Sequence, residues 1–201
     1  MKKLVASSVV ALAFVACADK PVKQEAAPTL PPPAAPTKAQ ATLKAAKGSK
    51  VAGTITFSEE NGKMVITTAV DGLKKGPHGF HIHEKGDCSA ADFASAGGHF
   101  NPTQHPHADV KASPRHAGDL GNLVADKKNK AHTSLTVDGL VLNGTDGIIG
   151  KAIIIHKDKD DGKTQPTGKS GDRLACGVIE ALAPTPSEVP APEATATPAP
   201  K

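Results

Sequence analysis

His81, His83, His99, His107, His116, Asp119 and His156 are the residues of this chain best suited to do chemistry. Neutral imidazole is a nitrogen donor for zinc, copper and their neighbours in the first transition row, and a carboxylate adds an oxygen donor. Six imidazoles and one carboxylate supply enough donors for two different divalent ions side by side. The sequence has nine histidines but no Trp and no Tyr, so the histidines are not a by-product of an aromatic-rich composition.

Their spacing says how they could meet. In Gly79-Phe80-His81-Ile82-His83 one residue separates the two rings. On a strand, residues two apart share a face, so both rings can approach one ion. Alone, the pattern also fits a pair of exposed histidines. Gly97-Gly98-His99-Phe100-Asn101-Pro102 adds a third imidazole, and its paired glycines let backbone pass close to a metal centre. His107, His116 and Asp119 follow; with His99 they offer three nitrogens and one oxygen, the donor set of a closed tetrahedral zinc site. His156 ends the apolar run Ala152-Ile153-Ile154-Ile155, where a capped strand end would explain it as well.

The elements that must position these residues read as strands. Short alternating runs rich in Val, Ile and Thr are punctuated by Gly, Asn and Asp, and no long helical period is present. Residues 51–58 and 64–71 flank Asn61-Gly62, a strong hairpin signal. Residues 120–125 and 132–137 flank Asp126-Lys127-Lys128-Asn129 and read as a second hairpin. With 42–46, 79–84, 151–156 and 174–182 this makes about eight strands, an antiparallel barrel or sandwich. Two connections, 85–118 and 157–171, are far longer than hairpin loops, and long ordered loops are usually functional.

The ends set expectations about location. Lys2 and Lys3 precede an apolar run from Leu4 to Ala16 that stops at Cys17, the pattern of an export signal over residues 1–17. Phe14-Val15-Ala16-Cys17 resembles a bacterial lipobox, with Phe14 where Leu is usual. Lipidation of Cys17 and conventional cleavage beside it both fit. Residues 18–41 are rich in Pro and Ala and read as an extended, disordered tether, and residues 183–201 as a tail of the same kind. The stretch 42–182 is then one domain in the periplasm or held at the outer membrane of a bacterium, touching the membrane only through the lipid anchor. Of the three cysteines, Cys88 and Cys176 remain as a pair, and in an exported protein a pair persists as a disulfide. Net charge is +4, with basic and acidic residues interspersed and few aromatics, so nucleic acid is not an expected partner.

Gly79-Phe80-His81-Ile82-His83-Glu84, Gly98-His99-Phe100-Asn101-Pro102, Arg115-His116-Ala117-Gly118-Asp119-Leu120-Gly121-Asn122 and Arg173-Leu174-Ala175-Cys176-Gly177-Val178-Ile179 together resemble the signature segments of copper-zinc superoxide dismutases, in their bacterial exported branch. The resemblance implies an all-β, eight-stranded antiparallel Greek-key barrel or sandwich, immunoglobulin-like, with two long functional loops. It implies an oxidoreductase that disproportionates superoxide to oxygen and hydrogen peroxide. Copper would be held by His81, His83, His99 and His156, and zinc by His99, His107, His116 and Asp119, with the ring of His99 shared. Asp160 matches the carboxylate that links a copper histidine to a zinc histidine, Arg173 the arginine beside the open copper face, and Cys88 with Cys176 the family disulfide. His107 is preferred over His105, two residues earlier, because its intervals to His99 and His116 fit. His78, His105 and His132 match no role and are expected to be exposed. Lys157, Lys159, Lys163 and Lys169 fit either anion attraction or a loop kept soluble by mixed charge. A homodimer is compatible with the resemblance. The alternative function is a copper-binding or copper-delivery module of the same fold without turnover, from which copper ligands or the arginine would be missing.

Overall fold

The computed structural model describes residues 35–183; the expected signal, Cys17, the tether as far as residue 34 and the tail from residue 184 lie outside the described residues. Nine strands follow in chain order: β1 Lys38–Thr42, β2 Lys44–Ala45, β3 Ala52–Glu60, β4 Lys63–Asp71, β5 Gly76–His83, β6 Asp119–Ala125, β7 Lys130–Val137, β8 Ala152–His156 and β9 Arg173–Ala181. Among the described residues the one helical element is a single 3-10 turn, Ala94–Ala96. Hydrogen-bonded neighbours run β6-β5-β8-β9-β1-β3-β4-β7, with β2 added to β9. All pairings are antiparallel. Only Leu43 separates β1 from β2, so the path is that of the expected eight-stranded barrel. β4 lies beside β7 and β5 beside β8, the crossovers of a Greek key.

Period-two burial builds the interior. β4 alternates, with Met64, Ile66 and Val70 fully buried. β8 is apolar on both faces for a different reason. Its Ile153 and Ile155 enter the main core with Phe57, Phe80 and Ile82, whereas Ala152 and Ile154 join a second cluster with Phe93, Ala96 and Cys176. That second cluster seals the loop after β5 against the outside of the barrel. Consequently His81 and His83, which alternate with Phe80 and Ile82, and His156, which follows Ile155, lie on the outer barrel face and are buried there by the two long loops.

Three expectations about the frame need correction. The domain begins earlier than residue 42: Lys38 to Thr42 form a ladder with β3, and Ala39 and Ala41 are fully buried. Small alanines suit this narrow slot, which is why the stretch looked like tether. The Asp126–Lys130 turn forms, closed by Asp126 N–H to Lys130 O at 2.9 Å and by Asp126 Oδ1 accepting from Lys128 N and Lys130 N. No hairpin ladder follows it, because β6 pairs with β5 and β7 with β4, at opposite ends of the strand order. The Asn61-Gly62 hairpin is realised as a two-residue turn between Glu60 and Lys63, with φ of 51° and 75° at its centre, where glycine and asparagine are at ease. The third correction is His78, taken up with the site.

Candidate metal centre

Four elements bring the donors together. β5 supplies His81 and His83, and β8 supplies His156 on the same face. The loop after β5 returns so that His99 pairs with His83 across an isolated bridge, with Glu84 N–H to Gly98 O at 3.0 Å. The same loop carries His107 and His116, and β6 opens at Asp119, opposite His81. None of the seven is more than 7% exposed.

They sort into two groups, His81, His83, His99 and His156, and His99, His107, His116 and Asp119; within each, one ligand atom per residue lies within 4.8 Å of all the others. In the first group the outward ring nitrogens are all engaged. His81 Nε2–H donates to Asp160 Oδ2 at 2.7 Å, His83 Nδ1–H to Gly97 O at 2.9 Å and His156 Nδ1–H to Gly171 O at 3.2 Å. These bonds fix the tautomers and leave lone pairs on His81 Nδ1, His83 Nε2 and His156 Nε2. Those three, with His99 Nε2, are the buried side-chain atoms that have no hydrogen-bond partner among the described residues. Four buried, unpartnered nitrogens, on residues that group within 4.8 Å of one another, present lone pairs suited to a cation.

The second group is packed about one carboxylate oxygen. Asp119 Oδ1 lies 2.9 Å from His99 Nδ1, 2.9 Å from His107 Nδ1 and 3.2 Å from His116 Nδ1, and the His99 and His116 Nδ1 atoms are 3.4 Å apart. A tetrahedron drawn with zinc bonds of ~2.0–2.1 Å has edges of about 3.3–3.4 Å, so the donor set fits a zinc-sized ion after minor adjustment. Asp119 Oδ2 is held apart by the N–H groups of Ala108 and His116, each at 3.1 Å. His99 is the one residue in both groups, Nε2 facing the first and Nδ1 the second.

Burial and charge set the protonation. Burial pushes His81 down to about 4 against the pull of Asp160, and His156 down to about 3 with help from neighbouring His81. His83 and His116 are also lowered, mainly by burial. These rings are neutral donors at neutral pH. His107 differs: burial works against its charge, yet the hydrogen bonds to Asp119 and Asp160 lift it to about 9. Burial would raise Asp119 and Asp160, but their bonds from His107, with those from His99 and His81 respectively, hold both well below the usual carboxylate range.

Around the donors, Asp160 takes His81 on Oδ2 and His107 Nε2–H on Oδ1 at 3.0 Å, joining one ring from each group. Arg173 is anchored rather than paired with a surface acid: it donates from Nη1 to Phe93 O at 2.5 Å and from Nη2 to Gly97 O at 2.7 Å. Gly97 O is also the acceptor for His83, so the guanidinium and a donor ring share a fixed point. Cys88 and Cys176 are joined as a disulfide, tying that loop to β9 a few residues from Arg173. His107, rather than the exposed His105, is the ring brought inward. His78 was expected to be exposed and is 4% exposed; its Nδ1 lies 2.9 Å from His156 O and its Nε2 2.7 Å from Lys74 O. Its register, two residues before buried Phe80, is consistent with burial, but the carbonyls that hold it come from the end of β8 and from the turn before β5. Asn122 and Gly168 also went unassigned: Asn122 brackets the backbone of Asp160 with bonds of 2.8 and 3.0 Å, and a Cβ on Gly168 would lie 1.9 Å from Asp160 Oδ1.

Residues 51–179 match the family model described as copper/zinc superoxide dismutase (SODC). The chain belongs to the copper/zinc superoxide dismutase family. Membership brings an enzyme's chemistry, superoxide dismutation, and two metals, copper and zinc, equal in number to the two donor groups. Among the family's relatives, the chain is 40% identical over 141 residues to "Superoxide dismutase [Cu-Zn] 5" of Dictyostelium discoideum, across 66% of this chain and 92% of that protein. It is 38% identical, with a TM-score of 0.70, to a solved structure described as the crystal structure analysis of the clock protein EA4, across 77% of this chain and 100% of that one.

Proposed function

We propose that the chain disproportionates superoxide at this centre, with copper on His81 Nδ1, His83 Nε2, His99 Nε2 and His156 Nε2, and zinc on Nδ1 of His99, His107 and His116 with Asp119 Oδ1. The observation that supports this assignment is the double membership of His99: one buried ring offers a nitrogen to each of two complete donor sets. When bound, copper supplies a one-electron couple and zinc a second cation that holds His99 Nδ1 in place.

The chain's own groups do the rest. Arg173, permanently charged and fixed by two loop carbonyls, attracts a small anion and orients it toward the first donor set. Two superoxide ions and two protons become one oxygen and one hydrogen peroxide. His99 Nε2 takes up a proton during the first half-reaction and gives it to the second superoxide, while solvent delivers the other proton. Asp119 Oδ1, 2.9 Å from His99 Nδ1, fixes the orientation of the ring that carries this proton. Joint metal analysis and superoxide consumption on the purified chain test this against His99→Ala. Activity falls about 100-fold or more if this proton path operates; full activity in the variant would overturn it.

We also infer that residues 1–17 direct export and that Cys17 is lipidated, placing the domain in the periplasm or at the outer membrane. The charge-flanked apolar run ending at Cys17 supports this, and so does the disulfide, which persists in oxidising compartments. Metabolic labelling with a radioactive fatty acid should mark the intact chain and not Cys17→Ala. An unlabelled intact chain rules lipidation out.

A further inference from the structure

His105 and His107 flank Pro106, and both could in principle be the third imidazole of the second donor group. In extended chain, residues two apart share a face, so alternation alone would present both rings to the same side. The structure separates them. His105 is exposed, its Nδ1 2.9 Å from Thr103 Oγ1, whereas His107 is 2% exposed with Nδ1 against Asp119.

Two primary amides enforce the separation. Asn101 grips the backbone of His105 at both ends: His105 N–H donates to Asn101 Oδ1 at 3.0 Å, and Asn101 Nδ2–H donates to His105 O at 2.8 Å. Gln165 grips His107 in the same two-point manner, with His107 N–H to Gln165 Oε1 at 2.8 Å and Gln165 Nε2–H to His107 O at 2.7 Å. A carboxamide is the one uncharged side chain that offers a donor and an acceptor side by side, so each amide satisfies one residue's backbone as a neighbouring strand would. Gln165 comes from the second long loop, and its Nε2 also reaches Lys163 O at 3.2 Å, which closes its own turn. That loop therefore holds His107 at three points: N–H and C=O through Gln165, and ring Nε2 through Asp160.

We propose that Gln165, with Asn101 as its counterpart, is a positioning residue that selects His107 over His105 as the zinc ligand; this rests on the reading of the second donor group as the zinc site. Gln165 touches no donor atom and acts through the backbone alone. Being exposed, it is open to substitution without opening a cavity.

The test uses the full chain, stripped of metal and titrated with zinc against a chromophoric chelator, with long-range proton–nitrogen NMR reporting which imidazole nitrogens bind. The unaltered chain should bind zinc through His107 Nδ1 while the His105 ring signals stay unchanged. In Gln165→Ala the zinc dissociation constant should rise about tenfold or more, the range seen when outer partners of metal ligands are removed, and His105 signals should now respond to zinc. Gln165→Glu, nearly isosteric, keeps the acceptor for His107 N–H but sets an oxygen against His107 O, so it should behave like the alanine variant. Zinc affinity and ring signals unchanged in both variants would overturn the selection device and leave the zinc site standing. An unaltered chain that binds no zinc through His107 would overturn the site reading itself.

Discussion

Asp160 joins the two donor groups from outside, as His99 does from within. One oxygen fixes the His81 ring and the other the His107 ring, so neither can rotate without disturbing a carboxylate they share. The carboxylate is itself held: Gly162 N–H donates to Oδ1 at 2.7 Å, and Asn122 fixes the backbone. Asp160→Asn keeps the shape but presents an N–H to one of two rings that both need an acceptor. Metal affinity at one site should drop about 10- to 100-fold, read by chelator competition, and undiminished retention of both metals would refute the linking role. Gly168 makes a second prediction. Its φ of 65° and its distance to Asp160 leave no room for a Cβ, which would also lie 2.7 Å from His107 Nε2. Gly168→Ala should lower stability by ~1 kcal/mol or more, visible in the thermal midpoint of the metal-free chain, and should release zinc more readily.

The long loop after β5 is shaped as much by what ties it down as by its own sequence. The Cys88–Cys176 bridge, the packing of Phe93 and Ala96 on Ala152 and Ile154, and the two bonds from Arg173 all fasten its first half to β8 and β9. The bridge spans 88 residues, for which the chain-entropy model gives an upper contribution of roughly 4–5 kcal/mol. Reduction, or paired Cys88→Ser and Cys176→Ser, should lower the urea midpoint and also loosen Arg173, so superoxide consumption should fall in folded, metal-loaded protein. Activity unchanged after reduction would limit the bridge to stability. The donors, the bridge and the Asn61-Gly62 hairpin were legible in the sequence because each depends on a residue type or a local turn. The β6–β7 splay, the buried His78 and the Asn122 and Gln165 contacts were not, because they depend on which distant strand or loop arrives alongside. β8 falls between: its unbroken Ala152–Ile155 run announced burial on both faces, but not that the second face would be covered by a loop.

Across the whole molecule, pH separates the metal-free chain from the loaded one. In the metal-free chain His81 near 4 and His156 near 3, with His83 and His116 also lowered, titrate below the ordinary histidine value of ~6.5. Within that window the unfolded chain binds more protons than the folded one, so stability falls as pH drops from about 6.5 toward 3. Asp119 and Asp160, both lowered, extend the loss below about pH 4. His107, raised to about 9, has the opposite sign: its contribution is complete below about 6.5 and is lost as pH rises through 9. The urea midpoint of the metal-free chain should therefore decline on both sides of near-neutral pH. If the loaded chain holds zinc on the second donor group as proposed, His107 Nδ1 carries no proton there and the alkaline decline should vanish. The acid decline should steepen there, because protons then compete with the ions for every donor. Urea titrations of both forms between about pH 4 and 10 decide it. An alkaline decline of equal size in both forms would mean that His107 keeps its proton when metal is bound, and metal content unchanged down to about pH 3 would mean that these imidazoles are not the ligands.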